Sequence, residues 1–373
     1  MQPESPSVSF IVPCYNMAGP MSECVCSILK QTYQDFEILI MDNCSPDNTP
    51  EVARSFSDPR VRYIRNETNL GHVRNFNKGV TLARGKYVWM IAADDSLRSS
   101  HVVERFVGLM ERNPSVGYVF CRAIEVQNGK EAGIVQWADC GDENCIWDGH
   151  RFLARLIRNN CIVMSSGMVR KECFDKAGLY PLDMPHACDW YLWCSFALFY
   201  NVAYFSEPMV YFRVHEGSLT SSFNREDATI CLMDELRVLS RVRDHARFAG
   251  VRTLLEASRV SIATRAARAL NAGSPRRGGP SISEGELQTL FQRQVSNPRD
   301  ETGLWARIFI ALGDEQYSAG ESNLAKRSYL RGLGLRPWWP LSWAKYLLLV
   351  TGRVGRGIRT RLTVIAVGVR LKQ

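Results

Sequence analysis

Short apolar runs alternate with helix-like stretches through the first half of the chain, the pattern of a mostly parallel sheet flanked by helices. Strands are predicted over residues 7–13, 36–41, 61–65, 87–93 and 118–125, with helices over 21–31, 49–57, 71–83 and 101–112. Gly85 stands where the third of those helices would be capped. Residues 128–148 are polar and irregular and read as a loop or a hairpin insertion. An apolar, small-residue stretch at 161–169, a short helix at 171–178 and an apolar helix at 190–200 follow. Two strand-like segments, 202–205 and 209–213, complete this region.

The second half reads as helical. Helices are predicted over 254–270 and 284–295, on either side of a Gly, Pro, Ser and Arg-rich stretch at 272–283 that marks a linker. Residues 305–319 and 322–335, closed by Pro337, resemble one tetratricopeptide-like helical pair. No second copy accompanies it, so the pair reads as a packing module and not as a peptide-binding array. The expected organisation is a catalytic region over 1–225, a helical extension over 226–272, a linker over 273–283 and a basic helical region over 284–373.

The chemistry gathers beyond the strands, where open α/β sheets bind ligands. The run at 87–93 delivers two adjacent carboxylates, Asp94 and Asp95. Neighbouring carboxylates repel unless a cation intervenes, and hard oxygen donors favour magnesium or manganese. Magnesium is commonly held by one or two carboxylates together with substrate phosphates, so the pair points to a nucleoside diphosphate. A solvated Asp-Asp turn is the plainer reading of the pair alone. The strand at 36–41 delivers Asp42, and Asp189 stands at the start of an apolar helix, where the helix dipole favours a carboxylate.

Composition narrows the class. A chain of 373 residues, 46% apolar, can bury one large core or two smaller ones. Its 12 cysteines form no paired CxxC framework and the N-terminus shows no signal pattern, so reduced thiols in a cytosolic protein are expected. The net charge is +8, and beyond Glu321 the chain has no acidic residue. Lysines and arginines there interleave with Trp338, Trp339, Trp343 and Tyr346. That composition suits contact with an anionic membrane surface, although solvated arginines on a structural helix would look the same. Neither apolar run of the tail reaches the roughly 20 residues that span a bilayer. No nucleic-acid reading motif accompanies the charge.

Six segments in order, SFIVPCYN (9–16), IMDNCSPDNT (40–49), NLGHVRNFNKG (69–79), ARGKYVWMIAADDSL (83–97), CDWYLW (188–193) and EPMVYFRVHEGSLT (207–220), resemble the family 2 glycosyltransferases of the GT-A fold. The resemblance covers roughly 7–222. It implies an α/β, Rossmann-like mixed sheet and transfer of a sugar, with inversion, from a nucleotide-sugar donor to a hydroxyl of a glycan or lipid-linked acceptor. Manganese or magnesium would be the cofactor. By the same resemblance Pro13, Tyr15, Asn16, Asp42 and Asp94 contact the nucleotide or its sugar, and Asp95 holds the metal with His215 as a further ligand. Asp189 would be the catalytic base. Asn77, with His72, Arg74 and Asn75, would line the donor pocket or pack its helix, and Arg213 and Ser218 would approach the diphosphate. Ala92 replaces the first acid of the commoner DxDD pattern, and Cys188 replaces a frequent Glu. The expected setting is cell-surface polysaccharide synthesis, at the inner face of the plasma membrane. A sugar nucleotidyltransferase and a catalytically silent scaffold are the rival readings. The first would carry a Gly-rich loop with Lys or Arg after the opening strand, where this chain has CYNMAGP.

Overall fold

The computed structural model describes residues 5–218, 228–245, 252–272, 282–292 and 298–350. The chain divides into two compact units. Residues 1–226 and 241–254 form one, and residues 227–240 and 255–373 form the other.

The first unit is built on a ten-stranded mixed sheet. Its elements run β1 (Val8–Cys14), α1 (Ala18–Leu29), β2 (Phe36–Asp42), α2 (Thr49–Arg54), β3 (Val61–Arg65), α3 (His72–Leu82), β4 (Tyr87–Met90), β5 (Ser96–Leu97) and α4 (Val102–Arg112). They continue through β6 (Val116–Gln127), β7 (Lys130–Ile134), β8 (Cys145–Trp147), α5 (Gly149–Leu156), β9 (Gly167–Arg170), α6 (Glu172–Ala177), α7 (Cys188–Ala197) and β10 (Asn201–Val214). The main path of the sheet is β3-β2-β1-β4-β9-β6-β10-β5. Strands β1 to β4 are parallel neighbours, and β9 runs antiparallel to both β4 and β6.

Burial on both faces explains the near-continuous apolar runs of β1, β2 and β4. Phe10 stacks on Trp89, Trp89 on Phe106, and Phe106 on Phe205, so a row of rings ties the sheet to α4. The strand order reverses between β1 and β4, which opens a crevice at their carboxyl ends.

Several elements differ from their sequence reading, each for a physical reason. Gly85 caps no helix, since α3 ends at Ala83 in an extended conformation. A Cβ at Gly85 would lie 2.6 Å from the Ser9 backbone nitrogen, so the glycine permits close passage of two backbones. The insertion at 128–148, by contrast, contains the hairpin that is one of its two sequence readings, with Asn128 and Gly129 both at positive φ in the turn between β6 and β7. The two segments at 202–213 are one strand, β10, whose register breaks around Pro208, a residue with no N–H to donate.

In the second unit, α8 (Ala228–Arg243) and α9 (Arg252–Ala272) each begin or end in the first unit's share of the chain. They are followed by α10 (Glu284–Gln292), α11 (Pro298–Ser318), α12 (Ser322–Leu335) and α13 (Pro340–Val350). The helical pair α11 and α12 meets at glycines. A Cβ on Gly313 would strike the Tyr329 ring, and one on Gly332 would strike the Ala306 carbonyl. Tyr329 is fully buried there and donates its hydroxyl to Asp314 at 2.7 Å. Most of the linker (273–281) and the basic tail beyond 350 lie outside the described residues. Two basic residues of the region are paired, Arg331 with Glu284 and Lys345 with Asp314.

Candidate active site

The carboxyl ends of β1, β2 and β4 reach one edge of the sheet and bring Tyr15, Asn16, Asp42, Asp94 and Asp95 to it. Asn16 and Cys44 both take left-handed backbone, the turn-forming conformation that Asn tolerates well. Ser45 helps to bind the two loops together. Ser45 Oγ accepts the Asn16 N–H at 3.0 Å, while the Ser45 N–H donates to Asp42 at 2.8 Å. Tyr15 is left exposed at the edge, 43% accessible, and Pro13 is half-buried.

Asp42, expected to contact the nucleotide, is drawn into the structure of its own loop. The residue is fully buried, and its carboxylate accepts hydrogen bonds from the Ser45 N–H, the Tyr63 hydroxyl at 2.7 Å and Arg65 at 2.8 Å. Asp42 therefore organises the loop, and the partly exposed Arg65 guanidinium lies over it. Asn77, expected at the donor pocket, bonds the Tyr180 backbone with both ends of its amide, each at 2.9 Å. His72 meets the Pro185 carbonyl at 3.0 Å, and burial holds its imidazole below the usual value and hence neutral. Asn75 bonds Asn66 and the Met41 carbonyl. Asn77 and His72 thus pin the 180–185 segment that leads into Asp189.

The adjacent carboxylates have different surroundings. Asp95 is buried; its Oδ1 accepts the Arg213 N–H at 2.8 Å, and the Ser165 hydroxyl also bonds it. Burial, and next the charge of Asp94, push its carboxyl well above the ordinary range. Asp94 is more open and meets His215 Nε2 at 2.8 Å, with both side chains partly accessible. Asp94 and His215 are brought together, while Asp95 sits behind them. One carboxylate and one imidazole fit a divalent cation whose other ligands come from a diphosphate and water. Among the described residues no group of three or more His, Cys, Asp or Glu side chains forms a complete metal cage. Arg213 itself pairs with Glu23 at 2.6 Å, and the His215 carbonyl accepts the Ser218 N–H in a turn. Leu219 and Thr220, at the end of this motif, lie outside the described residues.

Asp189 lies in the first turn of α7 and accepts the Trp190 N–H at 2.7 Å. Burial lifts its carboxyl from the ordinary 3.8 to about 6, against the lowering effect of Trp190, Asn160 and Trp193. The Trp193 indole nitrogen is buried with no hydrogen-bond partner. A carboxylate poised near 6 is suited to take a proton at neutral pH.

Sequence reading missed Asn160 and Ser165, which no motif marks. Asn160 touches Asp189, while the Ser165 hydroxyl accepts the Ala92 N–H at 3.0 Å and bonds Asp95. Five residues span at most about 17 Å, so Asp189 and Asp95 lie against the two ends of one short segment.

Residues 9–176 match the model of glycosyl transferase family 2. An uncharacterized glycosyltransferase of Haemophilus influenzae is 29% identical over 59% of this chain and 69% of its own length. The glycosyltransferase GlyG of Streptococcus pneumoniae is 34% identical, over only 29% of this chain and 37% of its own length. An Escherichia coli relative, UDP-Glc:alpha-D-GlcNAc-diphosphoundecaprenol beta-1,3-glucosyltransferase WfgD, is 25% identical over 59% of this chain and 81% of its own. Among solved structures, S. aureus TarS 1-349 in complex with UDP-GlcNAc superposes with a TM-score of 0.55 at 19% identity, covering 92% of this chain and 90% of that one. The fold is similar to the GT-A-like fold of TarS, and residues 9–176 resemble the domain of glycosyl transferase family 2.

Proposed function

We propose that the protein is an inverting, metal-dependent glycosyltransferase. It transfers a sugar from a nucleotide-sugar donor to a hydroxyl of a glycan or lipid-linked acceptor, in polysaccharide or glycoconjugate biosynthesis. The observation that carries this reading is the strut at 160–165, which touches both Asp189 and Asp95. Asp189 accepts the acceptor hydroxyl's proton as its oxygen bonds to the anomeric carbon and the bond to the departing nucleoside diphosphate breaks. Asp94 and His215 would hold manganese or magnesium, which when bound stabilises the negative charge growing on that leaving group. Asp95 supports Asp94 from behind. The loop organised by Asp42, with Tyr15, Asn16 and Arg65 at its surface, receives the nucleotide. That TarS is solved with UDP-GlcNAc and that the E. coli relative is a UDP-Glc transferase both support a uridine nucleotide donor.

A panel of nucleoside diphosphates and nucleotide sugars, with and without manganese, tests the reading by thermal shift. A ligand at about 100 times its Kd should add about 2.7 kcal/mol to the folded state. Stabilisation by one nucleotide class, larger with manganese, is the expected result; no response to any member of the panel would sink the proposal.

Peripheral membrane contact belongs to the same reading. No helix among the described residues is long and apolar enough to cross a membrane. Trp338 is 73% exposed and Leu347 53%, on a region without acidic residues beyond Glu321. The full chain is expected to float with phosphatidylglycerol vesicles at low salt and much less with phosphatidylcholine alone. Trp338→Glu should weaken that binding several-fold, and equal flotation with both vesicle types would refute the contact.

A further inference from the structure

One face of α1 is bonded to the segments on both sides of the Asp94–Asp95 pair. Glu23, Ser27 and Gln31 follow one another at four-residue spacing, which lines them up along one side of the helix and its C-terminal end. The Ser27 hydroxyl donates to the Cys24 carbonyl at 2.7 Å and is thereby turned to accept the Leu97 N–H at 3.0 Å. The buried Gln31 amide donates to the Ser99 carbonyl at 2.7 Å and accepts the Val103 N–H at 3.3 Å. These two residues fix the chain that leaves the carboxylate pair. Glu23, one turn nearer the start of the helix, takes hold of a different strand: its carboxylate accepts the Arg213 guanidinium at 2.6 Å, across 190 residues of sequence.

Arg213 stands where β10 is supported unequally. Strand β6 flanks one edge of β10 as far as Val214, whereas on the other edge β5 pairs only Val210 and Tyr211. Beyond that pairing the Arg213 N–H goes to Asp95 at 2.8 Å, and two residues later His215 meets Asp94 at 2.8 Å. We propose that Glu23 is a positioning residue of the carboxylate pair: through the Arg213 guanidinium it holds the end of β10 that supplies the N–H to Asp95 and the imidazole to Asp94. Glu23 is 63% exposed and Arg213 27%, so the ion pair itself adds little to stability. What it supplies is placement. Partners that orient the ligands of a metal in this way commonly change its affinity by about 10–100-fold when removed. That consequence rests on the metal-dependent reading; the hold on β10 does not.

Two measurements on the full chain test the two parts separately. Without ligands, hydrogen exchange followed by mass spectrometry should be several-fold faster over 211–215 in Glu23→Ala than in the parent, with 202–205 of the same strand unchanged. Alanine is the better helix former, so the substitution does not loosen α1, and the melting temperature should stay where it is. With UDP in excess, the manganese concentration that gives half of the thermal-shift rise should be about tenfold higher in Glu23→Ala. Introduced into Arg213→Ala, the same substitution should add nothing, because Glu23 acts through that guanidinium. Equal exchange over 211–215 in the two proteins, an unchanged manganese requirement despite faster exchange, or a full further loss in the Arg213→Ala background would each overturn the proposal. A parent that shows no manganese increment with UDP would instead count against the metal-dependent reading, and the exchange rates would still decide whether Glu23 holds β10.

Discussion

Replacing Asp189 by Asn is expected to lower kcat by about 10²–10⁴-fold, the range of a general base, while donor-induced thermal stabilisation persists. Only the ionised carboxylate can accept a proton, and burial lifts its carboxyl to about 6. The active fraction therefore rises with pH and reaches half at about 6. Below that point kcat/KM should fall tenfold per pH unit, and Asp189→Asn should abolish this acid limb. The same burial sets the direction of a stability change. The folded-state value lies above the unfolded 3.8, so the unfolded chain binds fewer protons between about 4 and about 6. Stability contributed by protonated Asp189 is full below about 4 and is lost as pH rises through about 6. At pH 7.5 Asp189→Asn should thus match or exceed the parent's Tm, with the gain disappearing near pH 4. A helix-supporting Asp with no role in catalysis would show the reverse, a lower Tm with transfer unchanged.

The positions of these groups were legible in the sequence to different depths. Apolar runs ending in Asp42 and Asp94 located the sheet edge, because strand burial and the chemistry beyond it are local signals. What those carboxylates do was not local. Asp42 is bonded by Tyr63 and Arg65 from the next strand, and Asn77 by the backbone of Tyr180, more than a hundred residues away in sequence. Such partners are fixed by the tertiary fold, and no spacing rule exposes them. Asn160 and Ser165 lie in an apolar stretch with no motif, and only the antiparallel course of β9 between β4 and β6 brings that stretch beneath the Asp pair. The Asn128-Gly129 turn, by contrast, is a local signal that decides for the hairpin in a stretch whose polarity alone fits a loop or a hairpin.

Asp94→Ala is expected to remove manganese-dependent nucleotide binding and to reduce kcat/KM by about 10²–10⁴-fold, several kcal/mol of lost charge stabilisation on the leaving diphosphate. The family resemblance gives the metal to Asp95, whereas the surroundings of the pair favour Asp94. Asp95 is enclosed by the Arg213 N–H and the Ser165 hydroxyl, with its ionised form opposed by burial and by its neighbour; Asp94 is accessible and shares His215. The two variants should therefore fail differently. Asp94→Ala should keep its melting temperature without ligand but lose the manganese increment in the presence of nucleotide, and His215→Ala should show a smaller loss of the same kind. Asp95→Asn keeps the volume of the side chain but places an amide where the Arg213 N–H and the Ser165 hydroxyl both need an acceptor, so its effect should fall first on stability. Titration of manganese against each variant, followed by the nucleotide-dependent Tm, separates the assignments. If Asp94→Ala retains the manganese increment while Asp95→Asn loses it at unchanged intrinsic stability, the metal belongs to Asp95 and the buried carboxylate must become exposed when the donor binds.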